Sequence, residues 1–110
     1  MEALKEFEEK LEDYRKELTR KSESIKALGE AMKNGFHWEC RLYSSVPEKP
    51  EFYWNRQEKS LWAYHKDGEG TWSNTRLNDS PIDVRLEFYD VMDQFIKKAS
   101  SLIPEMEGNR

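Results

Sequence analysis

The sequence predicts an α+β domain in which a long helix, an antiparallel sheet and a second helix follow one another. Apolar residues recur at every third or fourth position over residues 2–33, alternate with polar residues within 36–77, and return to a helical spacing over 80–103. The first spacing is typical of an amphipathic helix, and the alternation is typical of a half-buried strand. Because 110 residues are a normal length for one domain, we expect a single domain over 1–110.

The N-terminal helix, residues 2–33, carries apolar side chains at the first and fourth positions of a repeated heptad, and only Lys21 interrupts them. Four heptads of this kind are typical of a coiled coil, so a homodimer is one predicted partner. The side chains assigned to that oligomer interface are Leu4, Phe7, Leu11, Tyr14, Leu18 and Ile25. The pair Asn34-Gly35 then indicates the end of the helix.

The charges beside this heptad seam argue against a parallel homodimer. In a parallel pair Lys10 would face Arg15 of the other chain, and the two cations would repel each other. An antiparallel pair, or packing of the helix against the protein's own sheet, fits the sequence better. Both alternatives stay open at the level of sequence.

The segment 36–77 is predicted to form an antiparallel meander of three or four strands. The turn signals Glu58-Lys59 and Asp67-Gly68-Glu69-Gly70 separate runs of apolar and aromatic residues, and two prolines mark an earlier loop. The predicted strands lie near 36–43, 52–57, 60–66 and 71–77.

A two-residue turn at Glu58-Lys59 would pair Tyr53 with Tyr64 and would sort the side chains between two faces of the sheet. The apolar face, predicted to lie on the core side under the second helix, holds Phe52, Trp54, Leu61, Ala63 and Trp72. The opposite face holds Tyr53, Asn55, Trp62, Tyr64, Lys66, Thr71, Ser73 and Thr75. Rings among polar groups suit a binding surface, but coverage of this face by the N-terminal helix is the favoured interpretation.

The C-terminal helix, residues 80–103, has a broad apolar face, and Ser80 and Pro81 suit its N-cap and first position. One side of the helix carries an acidic row formed by Asp83, Glu87 and Asp90. Such a row is usually a solvated face, although it can also meet a partner with a basic surface. The remaining residues, 104–110, are predicted to form a flexible tail.

Composition and residue spacing narrow the classes of function. The net charge of −4 disfavours nucleic acid as a partner, and no segment is apolar enough to span a membrane. Cys40 is the only cysteine and no signal peptide is recognised, which together predict a cytoplasmic protein. Neither Cys40 nor the two histidines, His37 and His65, have the spacing of metal ligands or of a catalytic pair. No metal, no cofactor and no enzymatic activity are therefore predicted.

These observations favour a non-enzymatic, small acidic protein that binds another protein, such as an inhibitor, an immunity-type protein or an adaptor. Its predicted binding residues are Tyr53, Asn55, Trp62, Tyr64, Asp83, Glu87 and Asp90. One alternative is a small-ligand-binding module that stacks its ligand on Tyr53, Trp62 and Tyr64. The other alternative is a structural oligomer assembled through the N-terminal helix.

Overall fold

The computed structural model of the protein describes residues 1–106, and it confirms the α+β class. A four-stranded antiparallel sheet, with its strands in chain order, lies between two helices in the sequence. The elements are α1 (Glu2–Lys33), β1 (Arg41–Leu42), β2 (Glu51–Asn55), β3 (Ser60–Lys66), β4 (Trp72–Arg76), a 3-10 turn (Leu77–Asp79) and α2 (Ile82–Leu102). Of the tail predicted over 104–110, residues 107–110 lie outside the described part, and 104–106 are exposed.

The first strand is much shorter than its pattern predicts. Only Arg41 and Leu42 pair with β2, although the alternation of burial continues backwards to Phe36. The chain first closes the end of α1, where the Phe36 N–H donates to the Met32 carbonyl oxygen at 2.8 Å. The Cys40 carbonyl oxygen then accepts a bond of 2.9 Å from the Trp54 N–H. The prediction of a strand from residue 36 is therefore wrong, because alternation reports which side is buried and not whether a neighbouring strand is present.

The loop between β2 and β3 has four residues, 56–59, and not the predicted two. Tyr53 consequently pairs with Trp62 and not with Tyr64. The side-chain oxygen Oδ1 of Asn55 holds the loop, because it accepts hydrogen bonds from two loop N–H groups at 3.0 and 3.1 Å. A shift of two residues leaves every side chain on its predicted face, since the side-chain period of a strand is two.

The loop between β3 and β4 has five residues, 67–71, and this odd number reverses the predicted faces of β4. Gly70 adopts a left-handed φ of 87°, and its N–H donates to the Asp67 carbonyl oxygen at 3.1 Å. The Asp67 N–H also donates to the Thr71 carbonyl oxygen at 2.9 Å, so residues 68–70 form a three-residue turn with a glycine bulge inside this loop. Trp72 therefore pairs with Lys66 on the face opposite to the core, and its predicted core position is wrong. The predictions for Ser73 and Thr75 are reversed in the same way.

Both helices cover the same face of the sheet. The Phe88 ring of α2 meets the Phe52 ring edge-on at 5.0 Å and the Phe95 ring at 5.5 Å. From α1, Ile25 and Met32 enter the same buried cluster. The expectation that α1 covers the opposite, aromatic face is therefore wrong: its apolar side chains join the core beside α2.

Helix α1 has two halves with different surroundings. All residues from 1 to 17 are exposed except Leu11, which is half-buried, whereas the buried side chains Ile25 and Met32 lie in the second half. Its 32 residues span about 48 Å, and they account for much of the 65 Å length of the molecule. Within residues 1–106, neither helix is long and apolar enough to cross a membrane.

Helix α2 begins at Ile82, after a buried polar cluster that includes Ser80. The Ser80 hydroxyl donates to the Arg76 carbonyl oxygen at 2.9 Å and also lies 2.6 Å from the Thr75 hydroxyl. It makes no bond to the first N–H groups of the helix, so its predicted N-cap role is wrong. The Thr75 hydroxyl in turn lies 2.9 Å from Nε2 of the buried His65. These three side chains join β3, β4 and the start of α2.

Candidate functional site

The side of the sheet that faces away from both helices carries a row of half-buried rings, which we call the aromatic face. Its members are Tyr53, Trp62, Tyr64 and Trp72. The Tyr53 and Trp62 rings stack at 6.4 Å with an interplanar angle of 29°. The Tyr64 and Trp72 rings stack at 5.1 Å and 26°. The rings of each pair therefore cover each other only in part, and the two pairs together span three strands.

Short hydrogen bonds fix the polar tips of these rings. The Tyr53 hydroxyl donates to Oδ1 of Asn74 at 2.8 Å, and Nε1 of Trp62 donates to the Ser60 hydroxyl at 2.9 Å. Burial raises the pKa of Tyr53, although the Arg41 charge acts in the opposite direction. Rings that are held in place lose little conformational entropy on binding, which favours their use as contact residues.

Cations surround the aromatic face, and each of them has a carboxylate partner. The Arg41 guanidinium lies 4.7 Å from the centre of the Tyr53 ring and 2.9 Å from Oε1 of Glu51. Lys66 pairs with Glu48 at 2.8 Å, and this pair lowers the pKa of the Glu48 carboxyl. Arg76 lies on β4 directly opposite Trp62 and pairs with Glu58 at 2.8 Å. All three pairs are on the surface or partly buried, where exchange for another acidic group costs little.

A cavity of about 700 Å³ opens beside β2, where Tyr53 and Asn55 form part of its wall. We call it the basic recess, because its lining has four cationic side chains and one carboxylate, that of Glu39. The cations are Lys33, Arg41, Arg56 and Lys59. Two donors among its lining residues, Nε of Arg41 and Nε1 of Trp54, are buried and have no acceptor within residues 1–106. An acidic or carbonyl-bearing group suits this recess better than a cation does.

The acidic row belongs to α2, which packs on the face of the sheet opposite to the aromatic face. Asp83 and Asp90 are exposed, whereas Glu87 is half-buried and lies 3.1 Å from Nζ of Lys49. The structure therefore does not bring the two predicted sets of binding residues together. Asn55 does lie at the aromatic face, but its Oδ1 is already engaged by the loop that follows β2.

The residues predicted for an oligomer interface separate along α1. Leu4, Phe7 and Tyr14 are 53%, 60% and 51% exposed, and Leu11 and Leu18 are half-buried. Ile25 is only 4% exposed and belongs to the chain's own core. The first five therefore form an apolar surface that is exposed at three positions and half-buried at two, whereas Ile25 is part of the core.

The side chains that could carry nucleophilic or metal chemistry are dispersed. Cys40 is buried, and this burial raises the pKa of its thiol, although Lys98 opposes the shift. His37 is exposed at the start of the sheet region, and His65 is buried against Thr75. Among residues 1–106 no three His, Cys, Asp or Glu side chains come together in a way that could hold a metal ion.

Three residues of the aromatic face and its rim escaped the sequence prediction: Arg41, Trp72 and Asn74. A turn with an even number of residues after Lys66 would place Trp72 on the core side, whereas the five-residue loop places Trp72 and Asn74 on the aromatic face. The second glycine of Asp67-Gly68-Glu69-Gly70 is the signal that could have found them, since it suits the left-handed position of a bulged turn.

Comparison of the chain with known protein families, with curated proteins and with solved structures finds no match.

Proposed function

We propose that this chain is a non-enzymatic protein-binding protein that captures another protein on its aromatic face. The observation that carries this proposal is the row of four rings on a side of the sheet that neither helix covers. The rings are half-buried, and apolar surface rimmed by polar groups marks interaction sites. Tyr and Trp are also enriched among the residues that dominate binding energy. An inhibitor, an immunity-type protein and an adaptor all work in this way.

The charge around the aromatic face points to a partner segment with acidic side chains. Three cations, Arg41, Lys66 and Arg76, lie on or beside the face, and the basic recess adds further cations next to Tyr53. Complementary potentials speed encounter and select the correct partner. This partner differs from the basic one suggested by the acidic row of α2, in which Asp83 and Asp90 are exposed and Glu87 pairs with Lys49. A cytoplasmic location is part of the proposal and agrees with a single, buried cysteine.

The test is the affinity of ring-to-alanine variants for a partner captured on the immobilised chain. We expect Trp62→Ala to weaken binding of the purified partner at least about tenfold, because central aromatic contacts commonly contribute that much. Ile103→Ala is the control, since Ile103 is an exposed apolar side chain at the end of α2 and belongs neither to the aromatic face nor to the predicted oligomer interface. Circular dichroism would verify that both variants stay folded.

Two outcomes of this test would contradict the proposal. If Trp62→Ala binds like the unmodified chain, the aromatic face is not the contact surface. If Asp83→Lys and Asp90→Lys abolish capture while Trp62→Ala does not, the partner binds the acidic row of α2. Isothermal titration calorimetry would measure all of these affinities on the same scale.

A small anionic ligand is the second candidate for this surface. The basic recess has a volume within the range of about 300–1,000 Å³ that is usual for ligand pockets, and Tyr53 offers a ring for stacking. Tryptophan fluorescence distinguishes the candidates, since Trp62 stacks on Tyr53. A saturable change with a nucleoside monophosphate, absent in Lys59→Glu, would favour the ligand over the protein partner.

A further inference from the structure

The first half of α1 presents an apolar surface that the described chain leaves uncovered. We call it the apolar stripe, and its members are Leu4, Phe7, Leu11, Tyr14 and Leu18. Most helices in proteins owe their stability to packing of their apolar side. Large apolar side chains at heptad spacing on a projecting helix therefore indicate a helical partner.

We propose that a second copy of this chain covers the apolar stripe, in an antiparallel two-helix coiled coil centred between Glu12 and Asp13. In this arrangement Phe7 packs against Leu18 of the second copy, and Leu11 packs against its Tyr14. The twofold axis repeats both layers on the other side of the centre. Each bulky ring thus faces a leucine, which solves the crowding that two rings in one layer would create.

The charges that flank the stripe select this alignment. At positions beside the seam, Glu8 faces Arg15 of the second copy, and Lys10 faces its Glu17. The twofold axis repeats each of these two contacts once, so four pairs of opposite charge flank the seam. Flanking charges of this kind set the orientation and partner choice of coiled coils.

The competing alignments lack this complementarity. An antiparallel pair shifted by one heptad places Glu8 opposite Glu8 and Lys10 opposite Lys10 of the second copy. A parallel pair places Lys10 opposite Arg15. Glu17 remains available in the favoured alignment, since its side chain is 48% exposed even though it pairs with Arg20 on its own helix.

The rest of the molecule accommodates the second helix. The overlap of residues 4–21 is about 26 Å long, and it places the two sheet domains at opposite ends. Leu18 borders a small recess together with Ile82 and Leu86 of α2, and Ile82 is 46% exposed. Phe7 of the second copy arrives next to Leu18 and extends the apolar contact toward this recess. The aromatic face is not involved, so this inference is independent of the proposed function.

Charge reversals test both the existence of the dimer and its alignment. Sedimentation equilibrium of the full chain would measure the dimer dissociation constant. We expect Glu8→Lys to raise it roughly tenfold, since two attractive pairs become repulsive. Arg15→Glu should have the same effect, and the double variant Glu8→Lys/Arg15→Glu should restore the original value to within about threefold. Glu9→Lys is the matched control, because it makes the same charge change outside the seam.

Each contrary outcome overturns the proposal. In a parallel dimer Arg15→Glu would strengthen association, because Glu at this position would face Lys10, so a lower dissociation constant excludes the antiparallel alignment. An effect of Glu9→Lys as large as that of Glu8→Lys would show that only net charge matters. A mass of 13.2 kDa at every concentration up to the millimolar range would exclude a second copy as the occupant.

Discussion

At the scale of single residues, the hydroxyl of Thr75 connects two buried polar side chains. It lies 2.9 Å from Nε2 of His65 and 2.6 Å from the hydroxyl of Ser80. The other ring nitrogen of His65, Nδ1, is buried and has no partner within residues 1–106. Thr75 therefore supplies the hydrogen bond that makes burial of this histidine tolerable.

We predict that Thr75→Val destabilises the fold by about 1–3 kcal/mol, because it leaves Nε2 of His65 without its partner in the interior. The change keeps the branched shape of the side chain, so packing is nearly preserved. Urea unfolding followed by circular dichroism measures the difference. Thr71→Val is the matched control, since Thr71 is exposed and engages Asp67 through its backbone. Equal unfolding midpoints for the two variants would refute this role of the hydroxyl.

The residue scale is also where the sequence prediction failed most. The alternation of apolar residues assigned the faces of β2 and β3 correctly, because a two-residue error in register preserves them. The faces of β4 depended on one residue in the loop before it. Gly70, with its left-handed φ, made that loop odd and moved Trp72 from the predicted core to the aromatic face. Loop conformation is decided by local hydrogen bonds, and hydrophobic periodicity does not record them.

At the scale of elements, the two halves of α1 use the same apolar side of the helix in different ways. Its second half contributes Ile25 and Met32 to the core. Its first half contributes the exposed apolar stripe. Only Lys21 interrupts the heptad spacing, which runs through both halves, so periodicity predicts the helix but not which part of it the protein's own sheet covers.

The two halves predict opposite results for the same type of substitution. Ile25→Ala should destabilise the fold by about 2–5 kcal/mol, because it opens a cavity in the core. Leu4→Ala should change the unfolding free energy by no more than about 0.5 kcal/mol when the chain is dilute enough to be monomeric. Urea unfolding at several protein concentrations measures both. A large loss for Leu4→Ala at the lowest concentration would mean that the first half of α1 packs on its own sheet.

At the scale of the whole molecule, the division of α1 defines where the folded unit begins. The sequence predicted one long helix with either an assembly role or a packing role. The structure divides these roles at about Leu18, since the residues before it are exposed except for the half-buried Leu11, and the buried residues follow it. The unit with a complete core therefore includes the second half of α1, the sheet and α2.

Two shortened chains test this division. A chain that begins at Leu18 retains Ile25 and Met32, so we expect it to fold cooperatively and to stay monomeric by light scattering. A chain that begins at Asn34 loses both side chains from the core. That loss amounts to about 4–10 kcal/mol, which is comparable with the total stability of 5–15 kcal/mol of a typical domain, so we expect it to unfold or aggregate.

The contrary results would each change which elements are needed for folding or which surface is used for association. If the chain beginning at Asn34 gives a cooperative thermal transition, the sheet and α2 suffice for folding, and α1 is an attachment. If the chain beginning at Leu18 remains dimeric, association occurs through another surface, and the aromatic face is then the first to examine. Trp62→Ala in that shortened chain would decide the matter, because a ring-to-ring contact between two sheets could not survive the loss of the ring at its centre.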